Sequence, residues 1–249
     1  MNRSIYSIAS IAALLGIWIL AALFFQSHLL PGPLAVFRFI ITELIHGDML
    51  FHLGMTLWRV SAAFVIAMLI GCATGLAMGR SRSADSLLDP WLIIFLNIPA
   101  LVTIILAYVW GGLNEVAAIS AVAINKIPNV AVTLREGARA LDQGLDDMAT
   151  VYRFSGYARY RHVILPQLQP YFAAAARSGI ALIWKIVLVV ELLGRSNGVG
   201  FELNLYFQLF DVTGILGYTI IFVCVMLLIE LLVVQPFEKH ATRWRLKPA

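Results

Sequence analysis

Six stretches of this chain stay apolar for about 20 residues or more, the length a helix needs to cross the hydrocarbon core of a bilayer. They lie near residues 5–25, 54–79, 89–110, 114–134, 167–193 and 213–236. Inside hydrocarbon a backbone must satisfy its own hydrogen bonds, so only helices and closed barrels can span. The runs are continuous rather than alternating, which excludes a barrel and predicts an all-α membrane protein of six transmembrane helices. Composition agrees: 61% of the 249 residues are hydrophobic and 13% charged, against roughly 45–50% and about 25% in soluble domains. The first run follows Arg3 and ends in LFFQSHLLPGP with no small-x-small cleavage pattern, so it reads as a retained span.

The segment between the first two runs, 31–53, is too broken and polar to cross. Pro31 and Pro33 open a predicted interfacial helix there, with Phe37, Ile40, Ile41 and Leu44 on one face. The second run carries GCATGLAMG, which puts Gly71, Gly75 and Gly79 on one helix face. Such a face lets a neighbouring backbone come close, as a tight or moving seam or as ordinary packing. The third run holds Pro99 in NIPAL, which predicts a kink. Cys72 and Cys224 both fall within apolar runs, as small packing residues rather than a disulfide or metal pair.

Basic residues set the orientation. With the amino terminus inside, the inside segments carry Arg3, Arg80, Arg82, Arg135, Arg139, Arg153, Arg159, Arg161, Lys239, Arg243, Arg245 and Lys247. The outside segments carry only Arg38 and Arg195. This bias predicts that both termini, and a polar segment running 135–166, are cytoplasmic. It also explains the net charge of +4 without an anionic macromolecule such as a nucleic acid as partner.

Chemistry at membrane depth is poorly provided for. His28, His46, His52, His162 and His240 all map to loops or span ends, and neither G-x-S-G nor H-E-x-x-H occurs. Glu230 is the one carboxylate well inside a span, without an acidic mate. The four lysines stand in NKI, WKI, EKH and LKP, so there is no P-loop. If this chain moves a solute with ATP, the motor is another polypeptide.

The polar segment contains DDMATVYRFSGYARYRHVILPQLQP. Its large apolar side chains, among them Val151, Tyr152, Phe154, Tyr157 and Tyr160, are too many for a disordered linker. Two short helices meeting at Ser155-Gly156 fit better, with Asp146 and Asp147 facing the dipole at the start of the first. Arg159, Arg161 and His162 then lie in the second, and Pro166 suits the first turn of the next span. Aromatic knobs rimmed with charge make a protein-docking surface, or a helix lying on headgroups.

Counted back from Leu165-Pro166, this stretch resembles the EAA loop of ABC importer permeases, E-A-A-x3-G-x9-I-x-L-P. Val163 takes the apolar place and Asp147-Met148-Ala149 the E-A-A place; the glycine place falls on Arg153, with Gly156 three residues late. From about Leu30 onward the chain is similar to the nitrate/sulfonate/taurine-type branch. The likeness runs through LPGPLAVF, TLWRVSAAFVIAMLIGCATGLAMGRS, LDPWLIIFLNIPAL, TLREGARALDQGL, VILPQLQPYFAAAARSGIALIWKIVLVVELL and NGVGFEL. Ile105 stands where that branch often has a second proline.

The resemblance implies one permease domain over 1–249, a type I ABC importer permease-like bundle in the bacterial inner membrane. Its parts would be an N-terminal span (1–30), a periplasmic interfacial segment (31–53), a five-span core (54–238) with the EAA-like loop 135–166, and a cytoplasmic tail (239–249). It further implies a second permease copy, two cytoplasmic ATPase subunits that bind ATP and magnesium, and a periplasmic binding protein. This chain would hold no cofactor and catalyse nothing. The coupling helix would be roughly Asp147–Arg161. Asp147, Met148, Ala149, Tyr152, Arg153, Gly156, Tyr157 and Pro166 are the residues expected at the ATPase contact.

Arg59, Lys126, Arg177 and Lys185 fall within or near spans, where a central charge costs roughly 2.5–3.5 kcal/mol. Lys126, next to Asn125 in AINKIPNV, stands where the branch has an apolar or aromatic residue. It reads as an attractor for an anionic substrate, as a mate for a carboxylate such as Glu230, or as a lysine that snorkels. Lys185 reads similarly, whereas Arg59 and Arg177 suit pairing within the bundle. Glu191 matches an E-L of the branch, with a role at the gate or against the Gly198-Val199-Gly200 loop. Trp110 and Trp184 read as packing or interfacial anchors. The expected pathway residues are Lys126, Lys185, Asn125 and Glu191, and the expected solute is a small anion such as nitrate, a sulfonate or a small carboxylate. An uncharged or cationic heterocycle (a vitamin precursor) is the alternative. A secondary transporter or channel is a further rival, but the internal repeat that it calls for is not evident.

Overall fold

The computed structural model describes residues 3–25, 27 and 29–242. Arg243, Arg245, Lys247 and His28, assigned above to segments outside the hydrocarbon, lie outside the described residues. Every regular element among those described is helical. In order these are α1 (Arg3–Phe25), α2 (Pro33–His46), α3 (Met49–Arg80), α4 (Arg82–Asn97), α5 (Ala100–Gly111) and α6 (Glu115–Arg139). There follow α7 (Gln143–Val151), α8 (Gly156–Arg159), a π-helical turn (Tyr160–Ile164), α9 (Leu165–Gly194), α10 (Val199–Gln208), α11 (Val212–Ile229), a second π turn (Glu230–Val234) and α12 (Gln235–Thr242). Contacts divide the chain into two compact units: Met1–Thr56 with Glu191–Met226, and Leu57–Val190 with Leu227–Ala249.

Among the described residues four helices are long and apolar enough to cross a membrane: Met49–Arg80, Glu115–Arg139, Gly156–Gly194 and Val212–Glu238. The predicted third span is not one kinked helix. It is α4 and α5, bent by 98°, and it makes a fifth span only if the pair counts as one. At 16 and 12 residues, the two halves are about 24 and 18 Å long, each short of a bilayer core of about 30 Å. The cause is Pro99, which has no N–H and drives Ile98 into extended backbone (ψ 123°). The apolar part of the first helix, Ala9–Phe25, is likewise shorter than the other spans.

Pro166 lies in the first turn of α9, and α8, the π turn and α9 run on as one continuous helix, Gly156–Gly194, because the turn before the proline widens. Leu165 N–H reaches five residues back to the Tyr160 carbonyl, and the extra residue absorbs the missing proline donor. Pro236 is handled in the same way: Gln235 N–H donates to the Glu230 carbonyl.

In the first unit, the Trp18 indole N–H donates to the Pro31 carbonyl at 3.0 Å. On α2, Val36 and Ile40 are buried, whereas Phe37 and Ile41 of the expected interfacial face are exposed. The Phe39 ring meets Tyr206 and Tyr218 with centroids 5.6 and 6.3 Å away.

In the second unit α6 is the most enclosed span, with buried residues on most sides. Its Ala117, Ala118, Ala121 and Val122 share a core with Val60, Ala63, Ile104, Ile183 and Val187. The glycine face of α3 is a packed seam against α6. A Cβ on Gly75 would lie 2.4 Å from the Ala131 carbonyl oxygen and 2.9 Å from Leu134 Cβ. One on Gly71 would meet Val130 at 2.6 Å, and one on Gly79 would meet Ala138 at 2.4 Å. At the end of this seam Asp85 and Asp89 of α4 bracket Arg135 and Arg139 of α6.

The seam predicts an asymmetry between glycines of one helix. Gly75→Leu should cost about 1–3 kcal/mol through overpacking, lowering the thermal midpoint of the detergent-purified protein. Gly54→Ala, where an added Cβ meets nothing within 4 Å, should leave the midpoint unchanged or raise it. An equal loss in both variants would contradict the packed seam.

Candidate functional site: the polar loop and the buried charges

The loop between α6 and α9 is ordered by its own polar groups. Asp142 caps α7, its Oδ1 accepting from Gly144 N–H at 2.7 Å and Leu145 N–H at 3.4 Å. Gln167 Oε1 accepts from Asp142 N–H at 2.8 Å, which ties the start of α7 to the base of α9. Arg159 grips Asp146 with both ends of its guanidinium, Nε lying 2.6 Å from Oδ1. That contact holds the Asp146 carboxyl below the usual carboxylate range.

α7 ends in a Schellman turn. Phe154 N–H donates to the Ala149 carbonyl and Arg153 N–H to the Thr150 carbonyl, with Arg153 in the left-handed region at φ 52°. The turn therefore falls at Arg153, where the family pattern has glycine, and not at Gly156. Gly156 instead opens α8, with Ser155 Oγ accepting from Ala158 N–H at 3.2 Å, and a Cβ there would meet nothing within 4 Å. Of the expected contact residues, Tyr152 (72%) and Tyr157 (75%) stand exposed. Asp147, Met148, Arg153 and Gly156 are exposed too, Ala149 is buried and Pro166 is half-buried.

Of the expected pathway residues, Asn125, Lys126 and Lys185 belong to the second unit and Glu191 to the first. Lys126 is buried and its Nζ lies 3.5 Å from Ser178 Oγ, with Asn125 half-buried beside it in sequence. Lys185 is exposed, its ammonium 5.7 Å from the centre of the Trp184 ring. Arg59 is buried and chelates Glu115, Nε to Oε2 at 2.8 Å and Nη2 to Oε1 at 2.7 Å. Arg177 pairs with Glu230 at 3.5 Å and with Glu238.

Glu191 belongs to the first unit and is fully buried there. Its Oε2 accepts from Thr56 Oγ1–H and from Gly200 N–H, both at 2.9 Å. Val199 N–H donates to Thr56 Oγ1 at 2.8 Å, and Gly198 N–H to His52 Nδ1 at 3.0 Å. The other ring nitrogen, His52 Nε2, is 3.1 Å from Glu202 Oε1. Burial, with Glu43 and Asp48 nearby, pushes the Glu202 carboxyl above its ordinary range. Three successive amides at the start of α10 are thus capped by His52, Thr56 and Glu191, because Gly198 has no side chain to cap with. Sequence reasoning named Glu191 and its loop but missed His52, Thr56 and Glu202. The one available signal was a Gly-x-Gly helix start lacking its own cap.

Compared with known proteins, residues 63–235 match the family of binding-protein-dependent transport system inner membrane components. The bicarbonate transport system permease protein CmpB of Synechococcus elongatus is 30% identical over 205 residues, covering 77% of this chain and 74% of its own. The taurine transport system permease protein TauC of Escherichia coli (strain K12) is 27% identical over 247 residues, covering 96% of this chain and 89% of its own. Among solved structures, a crystal structure of an amino acid ABC transporter with histidines superposes with a TM-score of 0.64 at 22% identity, covering 77% of this chain and 93% of that one.

Two positive-φ positions set different limits on a side chain. Gly198 sits at φ 109° with Glu191 Cδ 2.4 Å from any Cβ, so Gly198→Ala should speed hydrogen exchange at the Val199 and Gly200 amides at least several-fold. Arg153→Gly should leave the loop as resistant to protease as before, whereas Arg153→Val, β-branched at positive φ, should open it to cleavage between 150 and 156. Resistance unchanged in Arg153→Val would show that the left-handed turn does not hold the loop.

Proposed function

Because this chain belongs to the binding-protein-dependent transport system inner membrane components, we propose that it passes a small oxyanion, handed over by a periplasmic binding protein, across the membrane as one of two identical permease copies. The chain itself is a multi-pass, non-catalytic inner-membrane component, and the ATPase is a separate protein. We read its domain as one permease of six spans, counting α1 and the bent α4–α5 pair as one span each, with both termini cytoplasmic.

The observation that carries the reading is the ordered loop over 135–166. Its helix is capped at one end, closed by a Schellman turn at the other and braced by Asp146–Arg159, and it presents Tyr152 and Tyr157 to the surroundings. Exposed aromatics on a rigid support suit a lever gripped by another protein better than a mobile connection does. In this reading Asp147, Met148, Tyr152, Arg153, Gly156 and Tyr157 meet the ATPase, while Ala149 and Pro166 support them from within. The basic residues of the loop favour its cytoplasmic placement. The anion is favoured by the bicarbonate and taurine named for CmpB and TauC.

The double variant Tyr152→Asp, Tyr157→Asp should lower co-purification of the ATPase about ten-fold or more, since a few buried aromatics dominate an interface. Elution of the permease as a folded species should not change. ATPase binding at the wild-type level would place the contact elsewhere.

A further inference from the structure

Of the four cations within or near spans, Lys126 has surroundings unlike the rest. Arg59 is neutralised by Glu115, Arg177 by Glu230 and Glu238, and Lys185 is exposed beside the Trp184 ring. Lys126 is 2% exposed. Among the described residues its one hydrogen-bond partner is the Ser178 hydroxyl at 3.5 Å, and no carboxylate forms an ion pair with it. Glu230, the mate that sequence reasoning offered, is taken by Arg177.

Snorkelling fails as well. Lys126 lies midway along α6, between Glu115 and Arg139, about 16–20 Å from either end, which is beyond the reach of a lysine stem. A structural ion pair and a surface-seeking lysine are therefore both excluded among the described residues. A buried cation without a counter-charge is a costly feature that tends to mark a solute pathway.

The immediate neighbours are a hydroxyl, a glycine backbone and the Phe64 ring. Ser178 Oγ now turns its proton to the Ala175 carbonyl at 3.2 Å, and rotation about its C–O bond would re-aim it. Next to Ser178, Gly179 lets the backbone of α9 come close to the ammonium: a Cβ there would lie 3.5 Å from Lys126 Cε and 3.3 Å from the Phe64 ring. An ammonium and a hydroxyl side by side can offer up to four N–H and O–H donors and one weak acceptor, which suits an oxyanion head and repels a cation. An uncharged heterocycle would leave the ammonium uncompensated.

We propose that Lys126 and Ser178 form the charge-recognition point of the transport pathway, selecting a solute with a singly charged oxyanion head such as a sulfonate, bicarbonate or a carboxylate. This deepens the anion reading given above and rests on it. Lys126 supplies the counter-charge and Ser178 a directed hydrogen bond, while Gly179 lets the α9 backbone approach them closely.

The test uses the complete transporter, this chain with its ATPase and binding protein in liposomes. Uptake of taurine, methanesulfonate and bicarbonate is followed, with ATP hydrolysis measured in parallel. The wild type is expected to carry at least one of the three. Lys126→Met should cut that uptake about ten-fold or more, the loss expected for one charge-assisted bond, and Lys126→Arg should restore most of it. Co-purification of the ATPase with each variant reports whether the complex still assembles. If the wild type carries an anion and Lys126→Met carries it equally well, the recognition point is wrong and the anion reading stands. If the wild type carries none of the three, the anion reading falls and this proposal with it, while ATPase binding to the loop is untouched. Should Lys126→Met fail to assemble, Ser178→Ala decides: a KM for uptake raised about three-fold or more supports the site, and an unchanged KM overturns it.

Discussion

A peptide group inside hydrocarbon has no water to turn to, and this chain is organised around that requirement. Each proline inside an apolar run removes one donor; Pro90, Pro128 and Pro170 are carried within their helices, and at three others the structure answers in two ways. At Pro99 the helix ends: Ile98 N–H closes the last turn on the Ile94 carbonyl, and the Asn97 side-chain amide donates to the Ile93 carbonyl at 2.7 Å. At Pro166 and Pro236 the helix continues through a π turn that starts six residues before the proline in each case. The same accounting governs the start of α10, where acceptors come from His52, Thr56 and Glu191 because Gly198 carries none.

The charges obey a parallel rule, since a buried ion without a partner is far more costly than a paired one. Arg59 meets Glu115 through two parallel bonds, the geometry that a guanidinium and a carboxylate share. Arg135 and Arg139 meet two aspartates one helical turn apart, so a single face of α4 serves a single face of α6. These pairs compensate Arg59, Arg135 and Arg139, whereas Lys126, buried to the same degree as Arg59, has no ion pair among the described residues. Its isolation is a property of its depth and its neighbours, not of lysine as a residue type.

Much of this was legible in the sequence because it depends on residue counts along one element. The spans of α3, α6, α9 and α11 follow from apolar length, the spacing of Gly71, Gly75 and Gly79 follows from helical period, and the motif places Asp147-Met148-Ala149 on one helix. What was not legible depends on partners distant in the chain. No local pattern distinguishes Val36 from Phe37 as the buried residue of α2, since either lies on an apolar face until a neighbour is chosen. Nor does His52 announce that its ring will cap Gly198, because the two meet only once α3 and the loop before α10 are both formed. The 98° break at Pro99 was read as a kink because proline fixes its own φ and restrains Ile98, but does not dictate where the next helix points.

Arg153 shows what such a pattern encodes. Counting from Leu165-Pro166 put it where the family carries glycine, and the mismatch raised the question of whether the turn survives. It does: the backbone keeps φ at 52° and both Schellman hydrogen bonds form. A non-glycine residue there costs roughly 1–2 kcal/mol, and the surrounding bonds hold it in place: the Asp142 cap, the Asp146–Arg159 pair and the buried Ala149. The constraint written into the motif is thus a backbone conformation first and a residue type second. An arginine can fill the position, adding a cation to the exposed surface at the expense of backbone strain, provided the helix before it is anchored at both ends.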